Sequence, residues 1–283
     1  VTATAKRHCE RRRTACGGKG PCLALSPTRR AKASPGDPRT SPLLAGRRPP
    51  PSYRRLAVLA PNTHCGKSYI SGMVVRGLRE AGERVWLHKP VSCGDWRDGT
   101  AGDGRDLLVL AGDGQDPATI CPRQFPEACS PHLAAELAGE RFSLADLVRD
   151  LPEPPAGTWL VSEGAGGVLT PLSRDRGTNA DWVAALDLPV LLVTTPDLGT
   201  ISVTSCAVEA LQRRAIPILG LVVSHVRPED GSVAVARAAE ELTTATGLPV
   251  LGEVPHGACD AAAGALAAAV SAAMTRACAT APR

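Results

Sequence analysis

Leu56-Ala57-Val58-Leu59-Ala60 runs directly into Pro61-Asn62-Thr63-His64-Cys65-Gly66-Lys67-Ser68, and that stretch into Tyr69-Ile70-Ser71-Gly72-Met73-Val74-Val75-Arg76-Gly77-Leu78. The first five residues have the length and apolar content of a buried strand. In the last stretch Ile70, Val74 and Leu78 recur every four residues and fall on one helical face. Between strand and helix lies a turn ending Gly66-Lys67-Ser68, the context in which a phosphate-binding loop (P-loop) works. Backbone N–H groups of Asn62 to Gly66 and of the first helical turn would point at phosphate oxygens, where the helix N-terminus adds favourable charge. Lys67 would reach the β- and γ-phosphates of a nucleotide such as ATP, and the Ser68 hydroxyl would ligate Mg²⁺. Gly-Lys-Ser alone also arises by chance in surface turns; the flanking strand and helix favour the phosphate reading. The pattern is imperfect, since Ala60 stands where a first glycine is usual and Pro61 supplies one backbone donor fewer.

Working outward, Glu80-Ala81-Gly82 closes the helix, and Arg84 to His88 reads as a second strand ending at Lys89-Pro90. Gly and Asp dominate from Gly94 to Gly104, which is loop chemistry. Leu107 to Leu110 is ambiguous between strand and helix, and Pro117 to Pro131 reads as irregular. Short helices are expected at 131–138 and 143–149, and strands at 158–162, 189–195, 217–224 and 250–253. Helices at 179–185, 201–214, 232–246 and 260–278 separate or follow them. Strands alternating with helices, several of them apolar throughout, predict an α/β fold whose mostly parallel sheet carries helices on both faces. That architecture is a P-loop NTPase-like three-layer sandwich, with ligand loops gathered at one edge of the sheet.

Two further residues belong at that edge. Pro90 biases Lys89 toward an extended conformation that projects it from the strand end into the cleft. There a cation would stabilise a transferring phosphoryl group or a carboxylated intermediate, although an ordinary exposed lysine is the alternative. Glu163 ends the 158–162 strand and precedes Gly164, Gly166 and Gly167, a composition that admits close approach to a ligand. It is placed to hold Mg²⁺ opposite Ser68. Asp106 is a second candidate for the metal; Asp95, Asp98, Asp103 and Asp113 compete with it and read mostly as solvated loop acids.

Hydrophobic residues make up 43% of the 283 and only eight residues are aromatic, so the core must be built from Ala, Leu and Val. Few aromatics also argue against the stacking platforms of many single-strand nucleic-acid binders. Residues 1–55 hold 14 Lys or Arg against two acids, a net +12, while the rest of the chain holds 18 against 26, a net −8. Residues 1–54 therefore read as a basic, Pro-rich, disordered extension, and 55–283 as a single domain. Such an extension reads first as non-functional or as the product of a start codon called too far upstream, with targeting or weak polyanion contact as the alternatives, and nucleic acid is not expected as the partner. No run of eighteen uncharged apolar residues is apparent, so no membrane partner is expected. The ten cysteines, among them Cys9, Cys16 and Cys22 in the extension, match no zinc spacing and read as reduced thiols of a cytoplasmic protein.

Taken together, the segments from about Leu56 to Pro255 resemble the dethiobiotin synthetase family. The resemblance rests on the loop at 60–68, Lys89-Pro90-Val91, Ser130-Pro131-His132, Glu163 to Gly167 with Pro171-Leu172, Leu188-Pro189-Val190 with Leu198 to Ile201, and Gly220 to Ser224 with Leu251 to Pro255. It implies an ATP-dependent, Mg²⁺-requiring ligase of biotin synthesis acting on diaminopelargonate and CO₂. One amine of 7,8-diaminopelargonate takes up CO₂ as a carbamate, ATP phosphorylates it, and the second amine closes the ring. By position, Lys67 and Lys89 would hold phosphoryl and carbamate oxygens, and Ser68, Asp106 and Glu163 the metal. Asn62, Thr63, His64, Cys65, Gly66 and Gly166 would contact nucleotide, with Ser224 standing where an adenine-reading Asn is common. Cys93 lies where the family has Ser or Thr near substrate. The family is a homodimer with its sites at the interface, so Gly199 and Ser202 would meet the partner's substrate tail.

This chain departs from the family at Asn62, which replaces an aspartate, at Ser202 and Val203, which replace Asn-His, and at Ser224. Asn62 also argues against partitioning ATPases, which carry a second lysine there. No room remains for the glutaminase domain of the amidating synthetases. A related P-loop nucleotide-binding protein with altered substrate or lost catalysis is the alternative.

Overall fold

The computed structural model describes residues 54–110, 114–228, 231–258 and 260–280. Residues 1–53 of the expected extension, with Cys9, Cys16 and Cys22, lie outside the described residues, as do Asp113 and Cys259. In chain order the strands are β1 (Arg55–Leu59), β2 (Val85–His88), β3 (Ser92–Cys93), β4 (Gln124–Phe125), β5 (Trp159–Glu163), β6 (Val190–Thr194), β7 (Ile218–Ser224) and β8 (Val250–Val254). The helices are α1 (Lys67–Glu80), α2 (Gly102–Val109), α3 (Pro131–Leu137), α4 (Leu144–Arg149), α5 (Asn179–Ala185), α6 (Thr200–Gln212), α7 (Val233–Thr246) and α8 (Asp260–Thr280).

Six strands form one sheet in the order β2-β5-β1-β6-β7-β8, every neighbouring pair parallel. Along β1, Leu56 and Val58 face one helix layer, and Ala57 and Leu59 face the other. The same alternation holds in β6, where Leu191 and Val193 join α1 and α8 while Val190 and Leu192 join α5 and α6. With apolar packing on both faces, neither side of these strands has a place for polar residues, which explains their unbroken apolar runs. Because β1 lies between β5 and β6, chain connections leave it in both directions. A crevice therefore opens at its carboxyl end.

The sequence and the structure differ in two local places. Leu107 to Leu110 falls in and just after helix α2, because Leu107 packs against the α1 layer as the inner face of a helix that begins at Gly102. The expected irregular stretch contains β4, which pairs with β3 to make a separate two-stranded ribbon under the cleft. At the edge strand β2, the buried Gln115 side chain accepts from the Leu87 N–H at 2.9 Å and donates to its carbonyl oxygen, covering backbone groups an edge would expose.

Residues 262–279 of α8 reach the length and mean hydropathy of a membrane span, although Arg276 interrupts them and no eighteen uncharged apolar residues run together there. Small residues produce that hydropathy, and Leu266, Ala267, Val270 and Met274 are buried in the α1 layer as core. Close packing of α8 on α1 depends on Gly77, where an added Cβ would come 2.2 Å from the Ala263 carbonyl oxygen. Gly77→Ala is expected to lower stability by about 1–3 kcal/mol through overpacking, despite alanine's better helix propensity. A urea midpoint that stays put would contradict this account of how α8 buttresses α1.

Candidate active site

The loop between β1 and α1 turns on Gly66, whose φ of 77° lies in the left-handed region. A side chain there would also be strained and would meet the Ser224 Oγ at 2.5 Å, so glycine is required twice over. Helix α1 starts with no side-chain cap and no acid in its first turn, leaving its positive end to the cleft. Within the loop the Thr63 N–H donates to the Asn62 Oδ1 at 2.8 Å, and Lys67 Nζ reaches back to the Asn62 carbonyl at 3.4 Å. Asn62 through Ser68 all line an open cleft of about 1260 Å³.

Lys89 and Glu163 meet there for a reason of register. Parallel pairing sets His88 opposite Ser162, so the next residues of the two strands emerge side by side. Lys89 Nζ donates to Glu163 Oε1 at 2.6 Å, with both side chains withdrawn from solvent. Ser68 Oγ donates to the same oxygen at 2.8 Å, which joins the phosphate loop to the pair.

Asp103, read from sequence as a solvated loop acid, completes the group at 3.0 Å from Lys89 Nζ. Asp106 lies one turn further along α2; it lines the cleft but makes no ion pair with Lys89. The ambiguity came from helix register. Gln124 Oε1 accepts from the Ala101 N–H at 2.9 Å, tying down the start of α2. Gly104 lets that helix sit so close to Gln124 that a Cβ would lie 2.4 Å from Oε1, and this docking turns Asp103 toward Lys89.

Charge follows geometry. Burial alone would push the Lys89 ammonium down, but the carboxylates of Glu163 and Asp103 outweigh it and hold it protonated. Lys67 shifts the other way, lowered by burial and by the neighbouring Lys89. Lys89 holds the Asp103 carboxyl below its ordinary value. Glu163 Oε2 is buried without a hydrogen-bond partner. A hydroxyl, a buried carboxylate with a spare oxygen and a second carboxylate form a hard oxygen set that fits a magnesium ion.

Asn179, which the sequence reading placed only within a helix, pins the loop after Glu163. Its side chain accepts from the Ala165 N–H at 3.1 Å and donates to the Ala165 and Gly167 carbonyls at 2.7 Å each. Gly166 and Cys93 line the cleft, and burial pushes the Cys93 thiol up to about 12. Gly199 and Thr200 line it as well, whereas Ser202 is exposed outside its lining. Ser224 lines no part of it. As the last residue of β7 it points inward beneath Gly66 and is 2% exposed, so an adenine-reading role at this position is not supported by its placement.

Sheet order, phosphate loop and cleft define a P-loop nucleotide-binding protein. Residues 54–258 match a family model described as an AAA domain. The chain is 39% identical over 190 residues to the ATP-dependent dethiobiotin synthetase BioD of Anaeromyxobacter dehalogenans, covering 66% of this chain and 83% of that one. With the enzyme of the same name from Corynebacterium diphtheriae it shares 34% over 207 residues, covering 72% and 89%. The chain belongs to the ATP-dependent dethiobiotin synthetase family. Among solved structures, the cell division ATPase MinD of Pyrococcus furiosus superposes with a TM-score of 0.51 at 15% identity, over 77% of this chain and 99% of that one, a likeness of fold.

Because Glu163 is buried against Lys89, removing the cation strands a charge. Lys89→Met is expected to cost about 3–5 kcal/mol of stability, with much of it recovered in the Lys89→Met/Glu163→Gln double variant. Additive losses in that cycle would mean the two groups are not coupled.

Proposed function

We propose that this cleft forms dethiobiotin from 7,8-diaminopelargonate, CO₂ and ATP by way of a phosphorylated carbamate. The observation that carries the reading is the buried Lys89 ammonium, held charged by Glu163 and Asp103 beside the Lys67–Ser68 phosphate loop. One substrate amine bonds to CO₂ and loses a proton, leaving a carbamate. A carbamate oxygen is a poor leaving group, so it must first attack the γ-phosphorus of ATP and release ADP. The second amine then attacks the carbamoyl carbon, phosphate departs, and the urea ring closes.

Each residue has a part in that sequence. The amides of the loop and Lys67 hold the β- and γ-phosphates, and Lys89 balances charge where carbamate and phosphoryl oxygens approach each other. Ser68, Glu163 and Asp103 would hold a magnesium ion, which screens phosphate charge when bound. Asn179 keeps Glu163 and its loop in place.

A second copy of the chain fits the other side of the cleft. Leu198 is 94% exposed and Val203 48%, and both line the opening. Apolar side chains so placed support a homodimer whose partner covers the substrate's alkyl tail. The free thiols of Cys65, Cys93, Cys121, Cys129, Cys206 and Cys278 suit a reducing cytoplasm.

ATP-dependent incorporation of labelled CO₂ into a cyclic urea tests the reaction directly, and its absence with active-site-intact protein would favour a nucleotide binder. In that assay Asp103→Asn is expected to lower kcat by about 10²–10³-fold, while Asp106→Asn stays within about threefold. Equal losses would return the metal role to Asp106. Burial lowers the Lys67 pKa in the free cleft, and bound triphosphate charge must raise it again. Nucleotide binding should therefore take up protons increasingly as pH rises toward the lysine range. Calorimetry in buffers of different ionisation enthalpy measures this, and proton release would contradict the assignment.

A further inference from the structure

The Lys89 ammonium has three N–H groups, and three acceptors surround it. Glu163 Oε1 lies at 2.6 Å, Asp103 Oδ2 at 3.0 Å and the Gly164 carbonyl oxygen at 3.4 Å. Glu163 Oε1 accepts a second hydrogen bond, from Ser68 Oγ at 2.8 Å. Ser68, Glu163 and Asp103 are also the residues that would hold a magnesium ion. A cation of the chain's own is thus already shared between the two carboxylates, with its side chain fully withdrawn from solvent. An ion seated among these three residues would stand where the ammonium stands, or close beside it.

Charge decides what such a set can admit. The carboxylates of Glu163 and Asp103 are matched by the ammoniums of Lys89 and Lys67, and Lys67 is close enough to feel the other three. Lys67, Lys89 and Glu163 are buried, and only Asp103 opens toward solvent. A bare divalent ion would bring two unbalanced positive charges into this neutral group. Repulsion between charges a few ångströms apart costs far more there than in water. A triphosphate carries more negative charge than one divalent ion cancels, so the two together arrive as an anion. Its phosphoryl oxygens can receive both ammoniums, which frees the carboxylates for the metal.

We infer that Lys89 bars the bare divalent ion, and that the cleft admits metal only together with a triphosphate. On its arrival the ammonium passes from the carboxylates of Glu163 and Asp103 to phosphoryl oxygens. The inference rests on magnesium and nucleotide meeting in this cleft, but not on dethiobiotin being the product.

Binding of Mn²⁺ alone to the full chain, counted by electron paramagnetic resonance, tests it without turnover. Lys89→Met, which lacks the competing charge, is expected to bind the ion at least about tenfold more tightly than wild type. Adding Asp103→Asn to that variant should abolish the gain. If Lys89→Met does not fold without metal, Mn²⁺ should restore its cooperative thermal transition and leave the wild-type midpoint in place. Equal affinities would overturn the inference, as would a variant that Mn²⁺ neither binds nor refolds. Equilibrium dialysis against Mn²⁺ with ATP checks the underlying reading separately. Retention of both by wild type is expected, and retention of neither would overturn that reading and the inference with it. Tight wild-type binding of Mn²⁺ alone would overturn the inference and leave the reading intact.

Discussion

An ammonium and a carboxylate, Lys89 and Glu163, face each other at the adjoining ends of β2 and β5, and neither has access to solvent. Each would be intolerable in that place without the other, because an isolated buried charge is strongly destabilising. Their contact depends on parallel register, which depends in turn on apolar packing against both faces of the sheet. It also organises its surroundings: Ser68 bonds to the same carboxylate oxygen, and Asp103 comes to the ammonium from a different helix. The arrangement of charges in the cleft is thereby tied to the core.

Close approach has a comparable role at two of the places where helices meet the site. Gly66 allows the turn of the phosphate loop and leaves space that Ser224 fills from below. Gly104 lets α2 dock on Gln124, which decides which of its acids meets Lys89. In both cases the absence of a side chain at one position leaves room for a group distant in sequence to pack against it. The fold itself is shared with a cell division ATPase at 15% identity, so sheet and loop do not specify chemistry. The chemistry open to this cleft depends on the cation at the end of β2 and the two acids around it.

Much of the architecture could be read from local pattern, because each strand and helix carries its own periodicity and the loop follows directly on β1. Gly66, Lys67, Ser68, Lys89 and Glu163 were legible for the same reason, being fixed to strand ends. The residues that escaped are those positioned by contacts distant in sequence. Asp103 depends on Gln124, twenty-one residues on by the numbering, and Asn179 gives no local sign that it reaches back to Ala165 and Gly167. Ser224 illustrates the reverse error, where a position inherited from a motif turns out to point into the core.

By itself the sequence determined the alternation of elements, the phosphate loop and the two strand-end charges, since hydrophobic period and glycine placement act over a few residues. Only the tertiary structure decided that Asp103 and not Asp106 meets Lys89, that Asn179 braces the loop after Glu163, and that Ser68 and Lys89 share one oxygen of Glu163. Those outcomes turn on helix docking and on which side of a strand faces inward, and a residue's own neighbours in the chain do not set either one.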